Sequence, residues 1–272
     1  MSKLGKNHSD RTIDKEAELE AIIDNYIDIR KAKEFTYCDL NGGAGSYDCN
    51  GRLANGSPIT AHRTIVKVPD LAKFNGYIFE KNKVNFPLLE SRLNRTCPDH
   101  HFRLYKRNSL KIDHRLLDQR RPMELIEEPL ADGMFYFDPT GDIKPEAVID
   151  YGKSQPNYMI LCNLQRITIL RQDKDPSITT VTEGLDRQWL ISQPSTDRSG
   201  WTWLMGVPYG VDADTLAINI SEVTAGPMFP LESKPGQECL TVVSERGFNA
   251  KSFIENRVEI AAVEWKAALG KQ

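Results

Sequence analysis

Apolar residues recur along this chain with two alternating periods, and the alternation predicts an α/β protein. Leu19, Ile22, Ile23, Tyr26, Ile27 and Ile29 fall near helical spacing and predict a helix over residues 13–33. Residues 35–40 then form a short apolar run that reads as a strand. A Gly- and Asn-rich stretch over 41–56 reads as a loop. Ser57-Pro58 reads as an N-cap with proline at the first helical position, opening a helix through about Lys67. Further strands are predicted over 76–80, 101–105, 133–137 and 157–163. Helices are predicted over 85–95 (carried by Phe86, Leu88, Leu89 and Leu93), 123–128 and 143–151. Residues 202–207 and 238–244 read as late strands, and 255–269 as a closing amphipathic helix.

Strands alternating with helices imply a doubly wound, mainly parallel, Rossmann-like sheet, with an antiparallel strand near the C-terminal end. Residues 1–12 read as a disordered polar tail, and 13–272 as a single domain. The stretch 172–199, rich in Asp, Thr, Ser and Pro, reads as an insertion in it.

Composition narrows the function classes. No window approaches 18 apolar residues, and the first ten residues lack the apolar core of a signal peptide, so a cytoplasmic protein with no membrane span is expected. The cysteines (Cys38, Cys49, Cys97, Cys162 and Cys239) form no C-x-x-C pair, so neither a metal site nor a disulfide framework is expected. A net charge of −3 removes any global electrostatic argument for nucleic acid. A local basic run remains: Arg103, Lys106, Arg107, Lys111, His114, Arg115, Arg120 and Arg121. It could track a phosphate backbone or simply solvate a face.

The densest chemical signal is the passage from Asp39 through Asn41, Gly43 and Gly45 to Tyr47. It reads as a strand ending in an acid and running into a glycine turn. Glycine tolerates φ > 0 and lets backbone approach a ligand closely. Dinucleotide turns need a third glycine, and here Asp48 stands in that slot. Asp39 would also repel a pyrophosphate, whereas S-adenosylmethionine carries a sulfonium and an ammonium group. The spacing approaches D-x-F-x-G-x-G, the glycine signature of class I methyltransferases, with Asn41 in place of the aromatic. An ordinary glycine-rich surface loop is the plain alternative.

Two further strand ends complete the candidate set. Glu80 could take both hydroxyls of a ribose, or merely solvate a strand end. Asn108 or Asp113 could meet the adenine amino group. Asp138-Pro139-Thr140-Gly141 follows an aromatic strand where amino-methyltransferases hold a catalytic tetrapeptide, and a proline turn is the alternative. There Asp138 would accept a hydrogen bond from the acceptor amine, and Pro139 would expose its carbonyl. Thr140 and Gly141 replace the proline and aromatic of that tetrapeptide, so stacking on a base would fall to Tyr47 or Tyr136.

Taken in order, 37–47, Asn55-Gly56-Ser57-Pro58-Ile59 and 137–141 resemble the three-Cys-motif partner proteins of the class I S-adenosylmethionine-dependent methyltransferase superfamily. The resemblance spans about residues 35–165. It implies a Rossmann-like methyltransferase fold and S-adenosylmethionine as cofactor, but no substrate. Two functions are expected from these readings. One is methyl transfer to an exocyclic amino group of DNA or RNA. The other is a methyltransferase fold that has lost catalysis and serves as a binding or partner protein. Oligomeric state is left open.

Overall fold

A computed structural model describes residues 11–49, 52–109, 122–138, 144–165, 177–194, 201–223 and 226–244. The chain forms two compact units, Met1–Tyr136 and Phe137–Gln272.

The first unit opens with helix α1 (Arg11–Arg30), whose Leu19, Ile22, Ile23 and Tyr26 are fully buried. Strands β1 (Glu34–Asp39), β4 (Lys73–Phe79), β5 (Phe102–Tyr105) and β6 (Asp132–Phe137) lie side by side in the order β6-β1-β4-β5, and all their pairings are parallel. Five of the six residues of β1 are buried, as a parallel strand covered on both faces requires. The register aligns Asp39 with Ile78 on one side and Tyr136 on the other, so β1 and β4 end together. Arg30 and Asp132 form an ion pair that fastens the end of α1 to the start of β6.

The predicted loop over 41–56 contains a hairpin. β2 (Ser46–Cys49) pairs antiparallel with β3 (Arg52–Asn55). Helix α2 (Ser57–Ile65) follows, and its N-cap is Gly56, not Ser57. The Ser57 hydroxyl is engaged elsewhere, as described below. Helix α3 (Asn85–Thr96) comes after β4, and a 3-10 turn (Pro122–Leu125) precedes β6. His62 of α2 packs against Phe102 (5.8 Å between ring centres) and Phe74 (6.4 Å), and His100 lies 5.7 Å from the same Phe102 ring. Burial lowers the His62 pKa from its ordinary value. His100 and His101 add to the shift, Asp99 opposes it, and Arg63 adds a little more.

The second unit is antiparallel in each pairing seen among the described residues. β7 (Tyr158–Gln165), β9 (Trp201–Val207), β8 (Gln188–Ser192) and β10 (Met228–Pro230) run in the order β10-β8-β9-β7. Helices α4 (Pro145–Ser154), α5 (Ser177–Gly184), α6 (Ala213–Val223) and α7 (Lys234–Ser244) accompany them. Residues 172–199 therefore include a helix and a sheet strand. Residues 238–244, read as a strand from their β-branched run, belong to α7. Gly236, Cys239 and Val243 are buried at helical spacing there, and packing overrides local propensity. The buried Arg187 guanidinium donates to the Tyr158 carbonyl, to Gly152 O at 3.0 Å and to Gln155 O at 3.2 Å, joining the end of α4 to the start of β7. Along β10, the Met228 amide donates to Ser221 Oγ at 2.7 Å, and Ser233 caps the Pro230 carbonyl through its amide and hydroxyl.

The fold class is the predicted one: mixed α/β and Rossmann-like, with parallel strands first and antiparallel strands toward the C-terminal end. The predicted helix over 255–269 and the tail over 1–10 lie outside the described residues.

Candidate functional site

The site is built on the coincident ends of β1 and β4. Asp39 is the last residue of β1 and is fully buried. Its Oδ1 accepts the Asn41 amide at 2.9 Å. Its Oδ2 accepts the Ser57 hydroxyl at 2.6 Å and the Tyr37 hydroxyl at 3.3 Å. The acid thus pins the start of the turn to the first turn of α2. It also raises the pKa of the neighbouring Cys38 thiol, though burial is the larger cause.

The turn itself needs glycine. Gly43 and Gly45 have φ of +61° and +76°, a left-handed backbone that other residues adopt at a cost. A Cβ on Gly43 would collide with the Tyr47 hydroxyl, and one on Gly45 would lie 3.1 Å from Leu89 Cδ1. Gly42 donates to Phe79 O at 3.0 Å, and Gly56 donates to Gly45 O at 2.8 Å, so the turn is tied to β4 and to α2.

Glu80 follows β4 directly and is 8% exposed. Its Oε1 accepts the Asn82 amide at 2.5 Å. Burial raises its pKa above the ordinary value, opposed by hydrogen bonds from the Asn82 amide, the Gly43 amide and the Asn85 side chain. The Gly42 bond to Phe79 O brings the glycine turn to the residue directly before Glu80.

Of the remaining predicted residues, Tyr47 is half-buried on β2 with its hydroxyl at Gly43. Asn108 is half-buried beside Ser109, whose hydroxyl donates to Leu40 O at 2.7 Å and brings the segment after β5 to the end of β1. Asp138 follows β6 and belongs to the second unit. Pro139 and Asp113 lie outside the described residues. Tyr136 is fully buried and stacked on Tyr37 at 6.4 Å, so it cannot serve as the base-stacking aromatic. Within the basic run, Arg103 pairs with Glu127 and Glu128 and lies over the Tyr77 ring, and Arg107 is buried; Lys106 is exposed. Its other members lie outside the described residues.

Sequence reasoning missed Arg92. It sits inside the buried stripe Leu89, Arg92, Leu93 of α3, and its Nη1 donates to Ala44 O at 2.6 Å and Ser46 O at 2.8 Å. An arginine on an apolar helix stripe was the available signal. Among the described residues no group of three or more His, Cys, Asp or Glu is placed to hold a metal ion, and no helix is long and apolar enough to cross a membrane.

No protein-family model matches the chain, and no curated protein matches it in sequence. Solved structures do. A Legionella pneumophila protein, LPL1258 of family DUF519, superposes with a TM-score of 0.55 at 11% identity, covering 82% of this chain and 96% of that one. A Listeria monocytogenes protein, described as a proposed class I S-adenosylmethionine-dependent methyltransferase, gives 0.48 at 10% identity over 76% of this chain and 64% of its own. The METTL16 methyltransferase domain gives 0.43 at 12% identity, covering 70% and 66%. The likeness to the Legionella protein shows the fold alone, a mixed α/β, Rossmann-like sheet.

Proposed function

We propose that this protein is an S-adenosylmethionine-dependent methyltransferase. The carrying observation is the shared end of β1 and β4, where the glycine turn after Asp39 is tied by Gly42 to Phe79 O, the carbonyl just before Glu80. It puts a glycine turn and an acid at one ligand edge, where open α/β sheets bind nucleotides. The donor set fits the cofactor: left-handed glycines that keep side chains away from the turn, and a carboxylate able to accept ribose hydroxyls. Asp39, Asn41, Gly43, Gly45, Tyr47, Glu80 and Asn108 would hold it. The bound cofactor supplies an electrophilic methyl group. Asp138 and Pro139 would orient an acceptor amine for in-line attack, a task of positioning more than basicity. We infer an exocyclic amino group of DNA or RNA as acceptor, in a cytoplasmic protein.

One observation favours a second reading. The Asp39 and Glu80 carboxylates already accept hydrogen bonds from the protein, as in a fold kept for binding after catalysis has lapsed. In that reading the chain is a partner protein, as its resemblance to the three-Cys-motif partner family would have it.

Calorimetry against S-adenosylmethionine, S-adenosylhomocysteine and NAD separates these readings from a nicotinamide enzyme. Binding of the first two is expected; failure of both to bind a folded protein at millimolar concentration would end the cofactor reading. Tritium transfer to mixed DNA and RNA, with small acceptors in parallel, then tests catalysis. Asp138→Ala is expected to keep cofactor affinity within a few-fold and lose transfer by about 10²-fold or more. Equal transfer by both proteins would move the chemistry away from Asp138, and no transfer despite tight binding would favour the partner protein.

A further inference from the structure

The cofactor reading uses the glycine turn but does not explain what aims it. Arg92 is 6% exposed, and no carboxylate pairs with it among the described residues. Burying a guanidinium without a counter-ion is costly unless its donors are well placed. One terminal nitrogen, Nη1, meets both carbonyls that flank Gly45, those of Ala44 and Ser46. Burial also lowers the Arg92 pKa.

The consequence follows from peptide geometry. The chain contains no cis peptide bond among the described residues. In a trans peptide, the carbonyl of one residue and the amide of the next point in opposite directions. Holding the Ala44 carbonyl on Arg92 therefore turns the Gly45 N–H away from α3. That amide makes no hydrogen bond among the described residues, although Gly45 is buried. Buried backbone amides nearly always have partners, so an unused one at a ligand-facing turn is a donor held ready.

We propose that Arg92 is a positioning residue that locks the Ala44 and Ser46 carbonyls and so aims the Gly45 amide at an acceptor atom of the bound ligand. This rests on the ligand site proposed above, and it adds the group that sets the site's shape. A lysine replaces it only in part: its ammonium could meet a carbonyl, but on a flexible stem without the fixed plane of the guanidinium. The same helix opens at Asn85, two turns before Arg92; its amide donates to Asn82 Oδ1 at 3.2 Å, and the Asn82 amide in turn donates to Glu80 Oε1. α3 thereby links the two loops that would hold the ligand.

The test compares wild type, Arg92→Met, Arg92→Lys and Arg92→Ala. Calorimetry with S-adenosylmethionine and S-adenosylhomocysteine should give Arg92→Met a Kd raised about tenfold or more, the size of one lost charged hydrogen bond. Arg92→Lys should fall between. Low-millimolar guanidinium should restore part of the affinity of Arg92→Ala, a rescue that a global folding defect would not permit. Hydrogen exchange over residues 42–57 of the ligand-free protein should be faster in Arg92→Met, with β7 and β9 unchanged. Folded Arg92→Met with wild-type affinity, or with wild-type exchange over 42–57, overturns the inference. If the wild type binds neither compound while the exchange difference holds, the cofactor reading fails and Arg92 still sets the turn.

Discussion

Ser57 donates a 2.6 Å hydrogen bond to Asp39, so the first turn of α2 and the last residue of β1 meet in one buried contact across 18 positions of sequence. This bond satisfies none of the helix's own amides; it fastens the first turn of α2 to the end of β1.

Ser57→Ala should therefore destabilise the protein by about 1–3 kcal/mol, the cost of leaving a buried polar oxygen short of a donor. Urea denaturation of the two proteins at one pH measures it. A change of only a few tenths would mean that Asp39 is satisfied without Ser57.

Gly43→Ala should cost stability twice over, through its left-handed φ of +61° and through the Tyr47 hydroxyl that its methyl would strike. The backbone part alone is about 1–2 kcal/mol. In a Tyr47→Phe background the penalty should shrink toward that value. A double-mutant cycle by chemical denaturation reads the difference, and an unchanged penalty would place the strain in the backbone alone.

Glu80→Gln should stabilise the protein at neutral pH while abolishing cofactor binding. The folded-state pKa of Glu80 lies above the ordinary 4.5, so the folded protein holds this proton more tightly than the unfolded chain does. Its effect is neutral well below that value, becomes unfavourable as pH rises toward the folded-state pKa, and stays so above it. The gain from glutamine should thus vanish near about pH 3, where both side chains are uncharged. Thermal unfolding from acid to neutral pH checks this. A wild type that gains on the variant as pH rises would reverse the sign.

His62→Phe should flatten the acid side of the stability profile. The His62 pKa is lowered from 6.5, so on acidification the unfolded chain takes up the proton first. Stability falls as pH drops below 6.5 and levels off once the folded-state value is passed. Phenylalanine fits among Phe74 and Phe102 and has no proton to bind. His100, also lowered by burial with His101 adding to the shift, acts in the same direction. Denaturation midpoints at pH values on either side of 6.5 test it, and an identical acid slope in the variant would acquit His62.

The first unit was legible because its signals are local. β1 and β4 are apolar runs that end at acids, and a parallel strand buried on both faces leaves that trace. β2 and β3 left none, because Ser-Tyr-Asp-Cys and Arg-Leu-Ala-Asn are four-residue strands of mixed polarity. α7 was misread because its Thr-Val-Val run favours a strand until packing is known. The site divides the same way. Asp39, Gly43 and Gly45 are neighbours in sequence and could be read together. The Arg92 bonds to Ala44 and Ser46 span 48 and 46 positions, and the Ser109 bond to Leu40 spans 69. No short motif encodes a contact at that range.

Strand β10 has a bearing on how copies of this protein meet one another. An exposed strand edge invites a second chain to dock by adding a strand of its own. Here the invitation is withdrawn group by group. Ser221 occupies the Met228 amide, Pro230 has no amide to offer, and Ser233 occupies the Pro230 carbonyl. With only three residues and these groups already engaged, β10 is a poor template for edge-to-edge assembly, and among the described residues no strand pairs beyond it.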